Sequence, residues 1–348
     1  MIGLVAKIMG TWLCINPFPV EIIVNSCILA FALVASADAQ TGVIVYARAP
    51  QGTAPGPIQN ICTIQVSGSG DQCLTTDGHS HDPSWSPDGK RILFIHDSVM
   101  STPPPYRETE ETRSHHPVEL SVMDANGENR RVIRTIEPVI HSAAWSPDGE
   151  TLALTAAIAR RPDEPPDVGL FLLSATGNGE LRLIRRNAWN PSWSPDGRKL
   201  AFTVEYPRGR WGIHTAHVDG TGEAALGNPD VNNGSPVWSP NRREIAFDQF
   251  TEQGRRQQVF VMNADGSGMQ QITKDSAWSC GGPSWSPGGD YLSVSCRSAE
   301  LPCGMGIVST GQKRPECDRR VFLVPVTSET SRSKLFDHDG FTAHFAPR

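Results

Sequence analysis

The amino-acid sequence predicts an all-β fold, a single six-bladed β-propeller with four-stranded blades that is closed by pairing of the N- and C-terminal strands. Two observations lead to this prediction: a turn motif that recurs along the chain, and a high content of turn-forming residues. The 348 residues include 32 Gly and 28 Pro. Residues that interrupt regular structure so often suit many short strands better than long helices.

The turn motif begins with Trp, followed by Ser and Pro, and its copies are spaced by about 45 to 60 residues, near the period of a propeller blade. Its tryptophans are Trp85, Trp145, Trp193, Trp238 and Trp285. In each copy, Pro suits the second position of a tight turn, and the Asp, Asn or Gly after it tolerates the conformations that turns require. Short apolar runs on both sides predict a β-hairpin, whose Trp packs one blade against the next.

The sixth blade is predicted to combine residues from both ends of the chain. Phe345-Ala346-Pro347 aligns with Trp-Ser-Pro, which places Phe345 at the repeat-Trp position. Residues 40–47 have the character of the strand that should follow such a turn, and residues 61–66 and 71–75 supply the last two strands. Pairing of the terminal strands would remove two exposed sheet edges and keep the ring from opening.

The five Trp-Ser-Pro motifs resemble the TolB-like β-propeller repeat, a relative of the WD-repeat blade whose hallmark is a Trp-Ser-Pro-Asp-Gly hairpin. The resemblance covers about residues 83–300 and implies the propeller fold. TolB itself has an α/β domain before its propeller, which we do not expect in this chain. The resemblance is therefore to the propeller only, and a role in the Tol envelope machinery does not carry over.

Residues 1–39 are interpreted as a secretory signal, and residues 40–348 as the propeller. The apolar run Ile22–Ala35 is shorter than the roughly 20 residues of a membrane span. Ala37-Asp38-Ala39 follows it with the small residues that signal peptidase accepts, so we expect cleavage after Ala39. Two alternatives remain, translation from Met9 or an uncleaved anchor. We expect a periplasmic or secreted protein with no stable membrane span after cleavage.

Cysteine usage agrees with export, because an even number of Cys follows the predicted signal and favours disulfides in an oxidising compartment. Cys62 and Cys73 flank the hairpin turn at residues 67–70, which places them opposite each other and predicts a disulfide. The sequence leaves open the pairing of the remaining cysteines Cys280, Cys296, Cys303 and Cys317.

Candidate site residues lie where the chain approaches the predicted inner strands, near the mouth of the axial channel. His81 and His141 occupy equivalent positions, four residues before a repeat Trp, and His338 lies near the corresponding position of the sixth blade. The candidate set is His79, His81, Asp82, His141, Asp337, His338 and Asp339. We interpret these first as solvated loop residues. The alternative is a divalent metal on His81, His141 and His338, because imidazole and carboxylate groups are common metal ligands.

Two further groups of residues recur or cluster near the motif. The aspartates of the turns are interpreted as structural, since Asp at this position bonds its own backbone; they are Asp88, Asp148 and Asp196. Three tryptophans of the predicted propeller lie outside the motif, and for these we favour core packing over a peptide or glycan contact; they are Trp189, Trp211 and Trp278.

The sequence contains no recognisable catalytic constellation, and no G-x-S-x-G nucleophile motif. We therefore favour a monomeric, non-enzymatic scaffold without a cofactor that binds a protein or peptide through one face or the axial channel. The net charge of −6 argues against a nucleic-acid partner. The alternatives are a metal-dependent lyase or hydrolase acting on glycans at the channel mouth, and a structural or sensor domain of a larger assembly.

Overall fold

Every regular element in the described part of the chain is a β-strand. The computed structural model describes residues 42–48, 59–97, 118–158, 167–207, 209–228, 230–251, 256–298, 319–326, 333–336 and 341–347. Within these ranges the strands form six four-stranded antiparallel sheets, and no helix is present that could cross a membrane. The predicted six-bladed propeller is thereby confirmed. The predicted signal at residues 1–39 lies outside the described residues.

The strands follow one another so that each sheet is built mainly from consecutive elements. In chain order they are β1 (Val43–Arg48), β2 (Asn60–Gln65) and β3 (Gln72–Cys73); β4 (Ser80–Trp85), β5 (Arg91–His96), β6 (Val118–Asp124) and β7 (Arg131–Ile136); β8 (Pro138–Trp145), β9 (Thr151–Ile158), β10 (Asp167–Ser174) and β11 (Arg182–Arg186); β12 (Ala188–Trp193), β13 (Lys199–Tyr206), β14 (Arg210–His217) and β15 (Ala224–Leu226); β16 (Asn233–Trp238), β17 (Glu244–Phe250), β18 (Gln257–Asn263) and β19 (Gln270–Gln271); β20 (Trp278–Trp285), β21 (Tyr291–Ser298), β22 (Arg319–Pro325), β23 (Ser333–Phe336) and β24 (Phe341–Phe345).

Blades 1 to 5 each consist of four consecutive strands, beginning with β4, and blade 6 has the order β24-β1-β2-β3. In blade 6, Phe345 lies opposite Ile44, just as Trp285 lies opposite Leu292 in blade 5. Phe345 therefore occupies the repeat-Trp position, as predicted. Pairing of β24 with β1 closes the ring and covers the inner edge of β1.

The Ser-Pro-Asp-Gly turns are held by hydrogen bonds within each motif. In blade 1, the Ser86 hydroxyl donates to the Asp88 carboxylate at 2.6 Å, and the Arg91 amide donates to the Ser86 hydroxyl at 2.9 Å. The bond from Ser86, with a second from the Lys90 amide, lowers the pKa of Asp88. Blades 2 and 3 repeat this pattern, and blade 4 uses an Asn in place of the Asp. These bonds occupy the turn carboxylates in a structural role.

The repeat tryptophans pack between blades. Trp285 is 6% exposed and Trp145 is 7% exposed. The indole N–H of Trp285 donates to the Val237 carbonyl of blade 4 at 3.0 Å, and that of Trp193 donates to the Ala144 carbonyl of blade 2 at 3.2 Å. Each of these two indoles therefore packs against apolar side chains and also donates a hydrogen bond to the neighbouring blade.

A β-bulge interrupts the pairing of inner strands β4, β8, β12, β16 and β20 with the second strand of the same blade. The residue three before the repeat Trp has a positive φ in four blades: Asp82 (50°), Asn190 (51°), Ser235 (48°) and Gly282 (60°). A bulge frees backbone amides from the ladder, and these amides need other acceptors.

Side chains of the preceding blade accept several of these inner-strand amides. The Ala143 amide donates to Asp82, Asn190 to Thr155, Trp238 to Ser192 and Gly282 to Asp248, at 3.0 to 3.2 Å. Between blades 5 and 6, the Ser293 hydroxyl donates to the Ala343 carbonyl at 2.9 Å. Hydrogen bonds from or to side chains thus join five successive pairs of neighbouring blades.

Two disulfides lie across neighbouring strands. Cys62 and Cys73 are directly opposite each other on β2 and β3 and are bonded, as predicted. Cys280 and Cys296 are opposite on β20 and β21 and form the second disulfide. The remaining two cysteines, Cys303 and Cys317, lie outside the described residues.

Candidate functional site

The inner strands begin on one face of the ring, which we call the mouth face, and end at the Trp-Ser-Pro turns on the opposite turn face. Two sets of equivalent residues lie near the start of these strands. The rim ring, four residues before the repeat Trp, consists of His81, His141, Trp189, Gly234 and Gly281. The bulge ring, one residue further along, consists of Asp82, Ser142, Asn190, Ser235 and Gly282.

The rim histidines lie on strands and not in loops, contrary to our first interpretation. His81 pairs with Ile95, and His141 lies at the bulge of β8. Burial lowers the pKa of the His81 imidazole, and the Asp97 carboxylate opposes this effect while His141 adds to it. Surrounding protein atoms partly desolvate the His141 imidazole and lower its pKa as well. Both are therefore neutral at physiological pH.

An aromatic arc crosses blades 2 and 3 at the rim. The ring of His141 lies 4.8 Å from that of Trp189, and Trp189 lies 5.7 Å from Trp211 on β14. His141 is exposed, and both tryptophans are half-buried. Trp189 and Trp211 thus belong to the mouth as well as to the packing we expected, whereas Trp278 packs edge-on against Phe322 within blade 5.

The opposite side of the rim lacks side chains because it is formed by glycines. Asp248 on β17 explains this composition. A Cβ at Gly234 would lie 2.9 Å from one Asp248 carboxylate oxygen, and a Cβ at Gly281 would lie 3.0 Å from the other. Asp248 is 3% exposed, and its burial raises the pKa despite bonds from the Gly282 amide and Ser235. The two glycines make room for this carboxyl and place no side chain of their own at the rim.

The bulge ring is polar and contains one carboxylate. Asp82 Oδ2 accepts the Ala143 amide at 3.2 Å, and burial raises the pKa of Asp82 to about 7. The buried Ser142 hydroxyl has no hydrogen-bond partner within the described ranges. A Cβ at Gly282 would meet no heavy atom within 4 Å in the part of the chain that the structure describes, which leaves space beside this glycine.

A second polar group lies beside His81 on blade 1, and the sequence reasoning identified only His79 within it. His79 and His96 have ring centroids 5.8 Å apart, and His96 Nδ1 lies 3.8 Å from Asp77. The Arg130 guanidinium donates to Asp77 at 2.8 Å. Burial opposes ionisation of Asp77, but the bond from Arg130 and the His79 amide lower its pKa.

Several predicted site residues are not brought together by the described structure. Asp337, His338 and Asp339 lie outside the described residues. Across the described ranges, no group of three His, Cys, Asp or Glu side chains is placed to hold a metal ion. His344 on β24 was not predicted, and its burial lowers the pKa to about 4.

Comparisons with known proteins agree with the geometry. The family described as "TolB beta propeller domain" matches residues 98–314. Among solved structures, a putative TolB from Agrobacterium tumefaciens is similar to this chain with a TM-score of 0.61 and 20% identity, covering 86% of this chain and 90% of that one. TolB from Acinetobacter baumannii has a TM-score of 0.62 and 17% identity, covering 94% and 71%.

An oligogalacturonate lyase from Vibrio parahaemolyticus is also similar, with a TM-score of 0.50 and 14% identity, covering 79% of this chain and 74% of that one. At such identities these structures support the fold alone. Among curated protein sequences, none matches this chain significantly. Because the family match covers more than half of the chain, this protein belongs to the TolB beta-propeller domain family.

Proposed function

We propose that this chain is an exported scaffold that binds a protein or peptide partner at the mouth face. The observation that carries the proposal is the aromatic arc of His141, Trp189 and Trp211, which is accessible at the rim and spans two blades. Tryptophan is enriched among the residues that dominate binding at protein interfaces, because it offers a large contact area with few rotatable bonds.

Export is supported by the disulfide chemistry. Cys62 with Cys73 and Cys280 with Cys296 form cross-strand disulfides, and such bonds form and persist in oxidising compartments. The periplasm or the exterior of the cell would provide these conditions. The predicted signal at residues 1–39 supports the same localisation.

The proposed mechanism is presentation of a rigid surface. The inner strands that carry the rim and bulge rings are joined from blade to blade by the polar bonds around the axis. A partner would therefore meet side chains that are already positioned, and binding would require little ordering of the scaffold. The partner's own segment would supply most of the conformational change.

Affinity isolation from the periplasmic or secreted fraction of the producing cell tests this proposal. We expect wild-type protein to retain a partner that a His141→Ala/Trp189→Ala variant loses, with retention falling about tenfold or more because two central aromatic contacts are removed. The matched control is Thr176→Ala, an exposed residue of the turn face. Equal retention by wild-type protein and the mouth variant, or absence of the protein from that fraction, would contradict the proposal.

A second candidate function is a metal-dependent lyase or hydrolase that acts on glycans at the mouth. The proximity of His81 and His141 favours it: burial is the main cause of the lowered pKa of His81, and His141 is close enough to contribute to it. A third ligand would have to come from outside the described ranges, and His338 is the candidate. Metal analysis of purified protein should then find one divalent ion per chain that is lost in a His81→Ala/His141→Ala variant. Equal metal content in the two proteins would exclude this candidate.

A further inference from the structure

The bulge ring has a chemistry that the rest of the mouth does not share. It contains the Asp82 carboxylate, the hydroxyls of Ser142 and Ser235, and the Asn190 amide. One oxygen of Asp82 accepts the Ala143 amide. Within the described ranges, no Lys or Arg is among the groups that influence the pKa of Asp82. The ring therefore holds hydrogen-bond acceptors and one carboxyl group, and no described cation lies beside that carboxyl. A cation placed next to it would favour its ionised form.

Access to the bulge ring is provided by the asymmetry of the rim. Gly234 and Gly281 contribute no side chains on one side, where the buried Asp248 carboxyl lies against them. One residue further along β20, a Cβ at Gly282 would meet no heavy atom of the described residues within 4 Å. The imidazoles on the other side, His81 and His141, are neutral because partial loss of hydration lowers their pKa. A positively charged group that enters along the glycine side would face the aromatic and imidazole side chains across the mouth. None of the described residues of the rim ring carries a positive charge that would repel it.

The ligand chemistry that fits this arrangement is a donor-rich cation on a flexible apolar stem. A guanidinium has five N–H donors and an ammonium has three, and neither accepts hydrogen bonds. Both pair with carboxylates and hydroxyls, and their methylene stems pack on aromatic faces. The aromatic arc would hold the stem at the level of the rim, and the acceptors of the bulge ring would hold the charged head below it.

We propose that the partner polypeptide inserts an arginine or lysine side chain through the rim and pairs it with Asp82 in the bulge ring. The inference rests on the proposed function and adds the partner's chemistry to it. A basic side chain in the channel fixes the position of the partner on the axis, while the aromatic arc supplies contact area at the rim. Asp82 is in this sense the residue that selects a basic segment.

Amide NMR with defined peptides tests the proposal on the full-length purified protein. The probe is the acetylated and amidated peptide Gly-Arg-Gly, and its neutral match replaces arginine with citrulline. The Ala143 amide reports directly, because it donates to Asp82. We expect saturable shifts of the Ala143 signal with the arginine peptide, and affinity at least about tenfold weaker with the citrulline peptide, as for loss of a charge-assisted hydrogen bond.

The variant Asp82→Asn keeps an acceptor for the Ala143 amide and removes the charge. It should weaken binding of the arginine peptide about tenfold or more. Asp148→Asn, the same change on the turn face, should leave binding unaltered, since blade 4 naturally has Asn241 at that position. Equal binding of the two peptides, or equal binding by wild-type protein and Asp82→Asn, would overturn the proposal.

Two more results distinguish this inference from the function on which it rests. Saturable binding of Ca²⁺ or Mn²⁺ at Asp82, with no response to the arginine peptide, would overturn the inference in favour of a metal ion. Partner retention that depends on His141 and Trp189 but is unchanged in Asp82→Asn would also overturn it, and would leave the proposed function intact. Loss of retention in Asp82→Asn, with the protein still folded, would support both.

Discussion

Ending the chain after residue 340 is expected to abolish cooperative unfolding of the ring, because it removes β24. That strand supplies the inner edge of blade 6 and pairs with β1. Its Ala343 is 1% exposed, and the Ala343 carbonyl accepts the Ser293 hydroxyl of blade 5. We expect a loss of more than about 5 kcal/mol in the free energy of unfolding, comparable to the total stability of many domains.

The matched control ends after Ala346, which keeps all of β24 and the bond from the Ala346 amide to the Val43 carbonyl. Its thermal unfolding should remain sharp and close to that of the wild type. Circular dichroism of both proteins against temperature measures the difference. A sharp transition at the wild-type temperature in the shorter protein would show that pairing of β24 with β1 does not hold the ring closed.

Replacing Trp285 with Ala should lower the free energy of unfolding by about 3–5 kcal/mol. Trp285 is 6% exposed and packs in the apolar cluster between blades 4 and 5. The substitution leaves a cavity, and it also leaves the Val237 carbonyl without the indole donor. Both effects destabilise the folded state.

The control for this prediction is Trp189→Ala at the rim, where the indole is half-buried and one side of it faces the mouth. We expect a clearly smaller loss of stability from this change, together with the loss of partner retention predicted above. Urea denaturation followed by fluorescence compares the two variants. If Trp189→Ala lowers the free energy of unfolding as much as Trp285→Ala, the aromatic arc is part of the hydrophobic core and not a binding surface.

Much of the fold could be predicted because it is periodic. The Trp-Ser-Pro turns repeat, and the register from Trp285 to Leu292 recurs at Phe345 and Ile44. The bond between Cys62 and Cys73 follows from a single turn. In these cases short-range chemistry determines the structure, since turn residues and alternating apolar residues act within a few positions of one another.

The pairing of Cys280 with Cys296 could not be predicted in the same way because a bulge intervenes. Counting outward from Trp285 and Leu292 without a bulge would place Cys280 opposite Arg297. The bulge between Gly281 and Ser284 shifts the register by one residue and brings Cys296 opposite Cys280. A bulge is stabilised by contacts between blades, which a local reading of the sequence does not contain.

The candidate site was predicted in part. His81, Asp82 and His141 could be located at the mouth because they sit at fixed distances from repeat tryptophans. Asp248 was missed although it occupies the repeat position of Thr155, which also accepts an amide from the next blade. The Asp248 carboxyl is buried against Gly234 and Gly281. These contacts form only when the blades pack together, so the sequence alone does not show them.

Photo-crosslinking from single positions on the two faces shows most directly which face of the propeller binds the partner. A photoreactive amino acid is placed at exposed His141 on the mouth face, or at exposed Thr176 on the turn face, in the cell that produces the protein. We predict one discrete polypeptide adduct from position 141, lost when Trp189→Ala is added, and none from position 176. An adduct from position 176 alone, or one from position 141 that persists without Trp189, would contradict the claim that the mouth face binds the partner.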